Sequence, residues 1–133
     1  MKDYLALSKE TYAYEEDNCC SVVSLAAAFE LSFKESLDIC QRWGRKRRQG
    51  MSPSHFFSAT ETASGLTGRP ISWKVLEIPI TLKRFLKNNP EGTFILFMHR
   101  HVATAKDGTM IDWTEDSPKM RKILAAAKVW SKI

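Results

Sequence analysis

The stretch EEDNCCSVVSLAAAF, residues 15–29, decides the fold. A polar run closing at Asn18 gives way at Cys19 and Cys20 to a segment dense in small and apolar side chains. That density predicts a tightly packed central helix beginning at Cys20. Asp17 or Asn18 is placed to cap it, because a short side-chain oxygen can accept from the orphan amides of a helix's first turn. Two adjacent cysteines therefore stand at the mouth of a buried helix.

Working outward, residues 1–16 hold few hydrophobic side chains in any period and read as an extended arm. Downstream, Ser32 and Glu35 form a capping box for a second helix. It places Phe33, Leu37, Cys40 and Trp43 on one face and ends at Gly44. MSPSHFFSATETASG reads as a third helix, with Ser52 as cap, Pro53 in its first position and Gly65 after its end. The character then changes. PISWKVLEIP is a short strand bounded by Pro70 and Pro79, and TLKRFLKNNP a short helix opened by Thr81 and stopped at Pro90. GTFILFMHRHVATAKDGTMIDW predicts a long apolar strand, further strand, an Asp107-Gly108 turn and a return strand ending at Trp113. SPKMRKILAAAK reads as a closing helix and VWSKI as a last strand. Helices first and an antiparallel sheet second make the class α+β.

The 133 residues fit a single domain over 1–133 with one core. No apolar run approaches the roughly 18 residues that span a bilayer, and Met1-Lys2-Asp3-Tyr4 lacks the form of a signal peptide. Three cysteines are too few for a disulfide scaffold, so the expected setting is a reducing cytoplasm, away from any membrane. The net charge of +5 is moderate, but RWGRKRRQG gathers five basic residues beside Trp43. Arg45, Lys46, Arg47 and Arg48 can offer weak, non-specific binding to nucleic acid or to an acidic partner. The plainer reading is a solvated loop after a helix, which basic runs of this length usually are.

Cysteine is a nucleophile only as thiolate, and a helix N-terminus is one of the few metal-free places that favour that form. The proton needs a histidine to take it, held in turn by a third polar group. His101 heads HVATAKDGTMIDW, and Asp112 lies across the hairpin turn. Residues flanking such a turn can sit side by side, so His101 and Asp112 form a candidate orienting pair, with Cys20 approaching from the helix. His99 shares a strand face with His101 if the strand is regular, and competes as base. Taken singly, each residue has a plainer reading: a buried cysteine is usually a small hydrophobe, and an aspartate at a strand end usually forms a turn. Cys40 belongs to the core and His55 to the surface of the third helix. Cys19, Cys20, His99 and His101 fit none of the usual zinc spacings, so no metal and no cofactor are expected.

Those residues carry a resemblance. The layout resembles that of the papain-like cysteine peptidase superfamily, in which a nucleophilic Cys opens a central helix and His with Asn or Asp follow on the sheet. It is closest to a group of small bacteriophage and bacterial proteins with an Asn-Asp-Cys motif opening an Ala/Leu-rich helix. Their further marks are matched by Phe33-Lys34-Glu35, by residues 81–92, and by the hairpin from His101 to Asp112. The resemblance implies N-terminal helices packed on a C-terminal antiparallel sheet, with Cys20 rather than Cys19 as nucleophile; Cys19 falls where an Asp is usual. It implies a thiol hydrolase (a peptidase, isopeptidase or amidase) working on a protein or peptide substrate through a Cys20-His101-Asp112 triad. The chain departs from the pattern in having no Gln before Gln41, so the oxyanion donor passes to the Asn18 amide. Arg100 also replaces the small residue that often precedes the His. The alternative is a catalytically inactive binding protein on the same fold, a phage-encoded modulator of a host factor in the host cytoplasm.

Overall fold

The computed structural model describes residues 20–46, 49–111 and 121–131. The arm at 1–16, the caps Asp17 and Asn18, Cys19, Arg47, Arg48, Asp112 and Trp113 lie outside the described residues. Those described form four helices and one five-stranded sheet: α1 (Cys20–Phe29), α2 (Phe33–Arg42), α3 (Pro53–Thr67), β1 (Ile71–Thr81), α4 (Leu82–Asn88), β2 (Thr93–Met98), β3 (His101–Lys106), β4 (Thr109–Ile111) and β5 (Lys122–Val129). The strand order is β1-β5-β2-β3-β4, and every pairing is antiparallel. The class is α+β.

Helix α1 starts at Cys20, as the sequence predicts, and every residue from Ser21 to Phe29 is buried. A helix apolar on all sides belongs between layers; α1 lies between the sheet, chiefly β3, and helices α2 and α3. It ends on Glu30, which takes a left-handed φ of 57°, while Leu31 N–H returns to the Ala26 carbonyl at 3.0 Å. That is a Schellman-type close, usually built on glycine. Here the Glu30 carboxylate is engaged from two sides, by Arg69 at 2.7 Å and Lys106 at 3.0 Å.

The capping box forms as predicted: Glu35 N–H donates to Ser32 Oγ at 3.0 Å, and Ser32 N–H donates to Glu35 Oε1 at 2.9 Å. Phe33, Leu37 and Cys40 are buried, but Trp43 is not part of that face. The helix stops one residue earlier, and the exposed Trp43 ring instead donates through Nε1 to Thr62 Oγ1 on α3 at 2.9 Å. The third helix runs through Gly65 and stops at Gly68, whose φ of 71° supplies the left-handed cap. Pro70, two residues on, accounts for the firm stop there, because proline follows a helix cap and cannot continue it.

Strand β1 also outruns its expected boundary. It passes through Pro79 to Thr81, with a register irregularity between Val75 and Ile80. A proline fits there because β1 is an edge strand and the ladder is already interrupted. The long apolar strand and the strand after it are β2 and β3, which meet at a two-residue turn, His99-Arg100, that the sequence reading did not name, with Met98 paired to His101. Arg100 takes a left-handed φ of 55°. The next turn is as expected, with Asp107 and Gly108 at φ 50° and 79° joining Lys106 to Thr109. Two positive φ values are what a tight hairpin needs. Asp107 also accepts from Gly92 N–H through Oδ1 at 2.9 Å, tying the hairpin tip to the start of β2.

The predicted closing helix is strand β5, which sits between β1 and β2 near the middle of the sheet. Lys, Leu and Ala favour helix locally, but pairing on both edges and burial of Ala126 and Ala127 override that preference. Val129 ends this strand, so VWSKI contributes no strand of its own among the described residues.

The sheet carries a core on each face. Ile95, Phe97, Val102, Ile111, Ala127 and Val129 pack with α1, α2 and α3. Phe94, Leu96, Met98, Ala103, Ala105 and Ala126 pack with Leu82 and Phe85 of α4.

Candidate functional site

Two buried hydroxyl bonds set where Cys20 stands. Thr104 Oγ1 on β3 donates to the Ser24 carbonyl at 2.8 Å, and Ser36 Oγ on α2 donates to the Val22 carbonyl at 2.7 Å. These fix α1 against β3 and α2 within its first turn and a half, so the position of Cys20 follows. Cys20 is partly exposed, whereas Cys40 is fully buried. Its amide belongs to the first turn, whose N–H groups an α-helix leaves without an intrahelical acceptor.

Cys20 opens into a cleft of about 460 Å³. Three parts of the chain meet it: Cys20 and Ser21 at the head of α1; Gly50, Met51, Pro53 and Phe56 from the approach to α3; and Phe97 to Val102 around the β2–β3 turn. His99, Arg100 and His101 all line it. The structure therefore brings Cys20 and His101 to one cleft and adds His99. Asn18 and Asp112, the predicted oxyanion donor and orienting acid, lie outside the described residues, and the last described β3–β4 pair is Thr104 with Ile111.

His99 is not on a strand, contrary to expectation, because the chain turns at that point. The pairing matters for the two histidines. His101 sits opposite Met98 and shares its register parity with Ala103 and Ala105, which pack toward α4. Phe97 and Val102 have the other parity and pack toward α1. His99 and Arg100 form the turn itself, so this alternation does not extend to His99.

Sequence reasoning missed the loop side of the cleft. Met51, Pro53 and Phe56 sit some thirty residues from Cys20 in a segment read only as a helix start, and no local signal marks them as its neighbours. His55 is exposed on α3 as expected, but not among the cleft residues described. In the basic segment, Arg45 is 4% exposed, which leaves Arg42 and Lys46 as its exposed cations among the described residues.

A second hollow, about 540 Å³, lies on the other face of the sheet against α4. Ser72, Lys74, Leu76, Phe85, Phe94 and Lys128 line it, with no thiol or imidazole among the described lining. Among the described residues no three His, Cys, Asp or Glu side chains gather as metal ligands would, and no helix is long and apolar enough to cross a membrane. Compared with protein-family models, with curated proteins and with solved structures, the chain matches none.

Proposed function

We propose that the protein is a papain-like thiol hydrolase that cleaves a peptide, isopeptide or related amide bond through an acyl-enzyme on Cys20. One observation carries the reading: the partly exposed thiol at the first turn of the central helix shares a cleft with two histidines of a hairpin turn. In the proposed reaction a histidine takes the Cys20 proton and the thiolate sulfur bonds to the amide carbonyl carbon. The carbon–nitrogen bond then breaks, and the imidazolium returns its proton to the departing amine. Water, deprotonated by the same imidazole, hydrolyses the thioester to release the acid and restore the thiol. The Cys20 amide and the Asn18 side chain are the proposed oxyanion donors.

Two histidines compete for the base. His101 has the resemblance of its hairpin in its favour, with Asp112 as its orienting acid. His99 has its place in the same cleft, on the turn itself. The proposal rests on the pair, and single substitutions separate them.

The test is digestion of a peptide library read by mass spectrometry. Bonds cut by the wild type and left intact by Cys20→Ala support the reading. Cuts that persist in Cys20→Ala contradict it, and a library untouched by the wild type favours the second reading. That second reading is a catalytically inactive binding protein, a modulator of a host factor if phage-encoded. It draws on Val75 and Ile78, each 79% exposed where β1 departs from its ladder at the sheet edge. Nucleic-acid binding through the basic loop is a weaker proposal, since burial of Arg45 removes a cation from it.

A further inference from the structure

One wall of the Cys20 cleft has a single chemical character. Phe56 and Phe97 meet edge to face, with ring centroids 5.7 Å apart. Behind them, Phe97 tilts against Trp73 at 5.2 Å, and Trp73 stacks on Phe57 at 4.7 Å. The two rings that reach the cleft are thus held from behind by two more. A surface fixed in advance loses little freedom when a ligand covers it. Met51, Pro53, Met98 and Val102 add to this apolar lining. Met51 is its adaptable member, since an unbranched thioether reshapes to fit what it meets. The charged and titratable lining groups other than Cys20, namely His99, Arg100 and His101, are confined to the β2–β3 turn among the described residues.

The cleft is therefore two-sided, with the chemistry at the turn and helix start and an apolar seat between Met51, Phe56 and Phe97. Its volume of about 460 Å³ falls in the roughly 300–1,000 Å³ span of small-ligand pockets, enough for a large side chain and a short length of backbone. A charged side chain set on that wall would lose its hydration with nothing in exchange. A glycine would leave the wall uncovered.

We propose that the acyl portion of the substrate, which becomes bonded to Cys20 in the first step and is released by water in the second, carries a large uncharged side chain, aliphatic or aromatic, seated on the Phe56–Phe97 wall. This rests on the thiol-hydrolase reading, and the experiment separates the two. The full chain is treated with three peptidyl chloromethyl ketones, identical except for Phe, Asp or Lys beside the ketone, with iodoacetamide as the reference for intrinsic thiol reactivity. In each ketone the Cys20 thiolate displaces chloride, forming a thioether. The Phe reagent should label Cys20 at least about tenfold faster than the Asp or Lys reagent, the scale on which apolar pockets discriminate. Met51→Asp should reduce that preference several-fold, with each rate taken relative to the same variant's iodoacetamide rate. If iodoacetamide labels Cys20 while the three ketones react alike, or a charged one reacts fastest, the apolar seat is wrong and the hydrolase reading survives. If iodoacetamide fails to label Cys20 at all, the hydrolase reading falls and takes this inference with it.

Discussion

The hydroxyl of Thr104 donates a 2.8 Å hydrogen bond to the carbonyl of Ser24, 80 residues away in sequence and wholly inside the protein. It holds the helix that begins at Cys20 to the strand that begins at His101. Thr104→Val keeps the shape of the side chain and removes the donor. The expected loss is about 1–2 kcal/mol of unfolding free energy in urea titration, since a buried acceptor loses a partner. If this bond also positions the thiol, Cys20 labelling should slow in the same variant while it remains folded.

Glu30 joins three elements, from its left-handed position at the end of α1 to Arg69 before β1 and Lys106 at the end of β3. The Lys106 hydrogen bond, with the nearby Lys106 and Arg69 charges, holds its carboxyl below the usual glutamate range against a smaller opposing push from burial. A depressed folded-state value means the stabilisation is present above the ordinary glutamate range near pH 4.3 and is lost as pH falls through the folded value. Glu30→Gln should therefore cost stability at pH 7. With the side chain 36% exposed, solvent screening limits that loss to about 0.5–1 kcal/mol. The gap between variant and wild type should close as pH falls below the ordinary glutamate range and through the lowered folded value, which thermal unfolding across pH will read.

Much of the fold is legible in the sequence because caps and turns are local chemistry. Ser32 with Glu35, Ser52 before Pro53, Thr81, and Asp107-Gly108 all act at the residues where they were expected. The His99-Arg100 turn is missed because neither residue is a typical turn former, and its left-handed φ falls on an arginine. Strand β5 is missed because its identity comes from two neighbours distant in sequence. KILAAAKV has helical propensity, and only pairing with β1 and β2 makes it a strand. The site divides the same way. Cys20 at a helix start and His101 at a strand start are readable, whereas the Met51–Phe56 side of the cleft depends on how α3 packs.

That account of β5 has its own test. Ala127 is fully buried on the helix-facing side of the sheet, among the core packed with α1, α2 and α3. Ala127→Leu would suit a helix as well as Ala does, but in this strand it should cost about 1–3 kcal/mol by overpacking. A neutral or stabilising result by denaturant titration would mean the packing around β5 is looser than described.

The two histidines separate by single substitution. The true base, changed to Ala, should lose most catalysed turnover, by about a hundredfold or more, as removal of a general base does. The other should retain most of it. His99→Ala as the damaging change would make the turn residue the base, and His101→Ala would favour the hairpin resemblance. Asp112→Ala should then hurt only if His101 is the base.

The most direct test of the central claim is residue-resolved mass spectrometry of the full chain after brief iodoacetamide treatment at neutral pH. Cys20 should be alkylated at least about tenfold faster than Cys40, which is buried, and faster than Cys19. Its rate should fall when His99 and His101 are both changed to Ala. A Cys20 that stays unmodified, or that reacts equally fast with and without the two histidines, would contradict a thiol activated by this cleft.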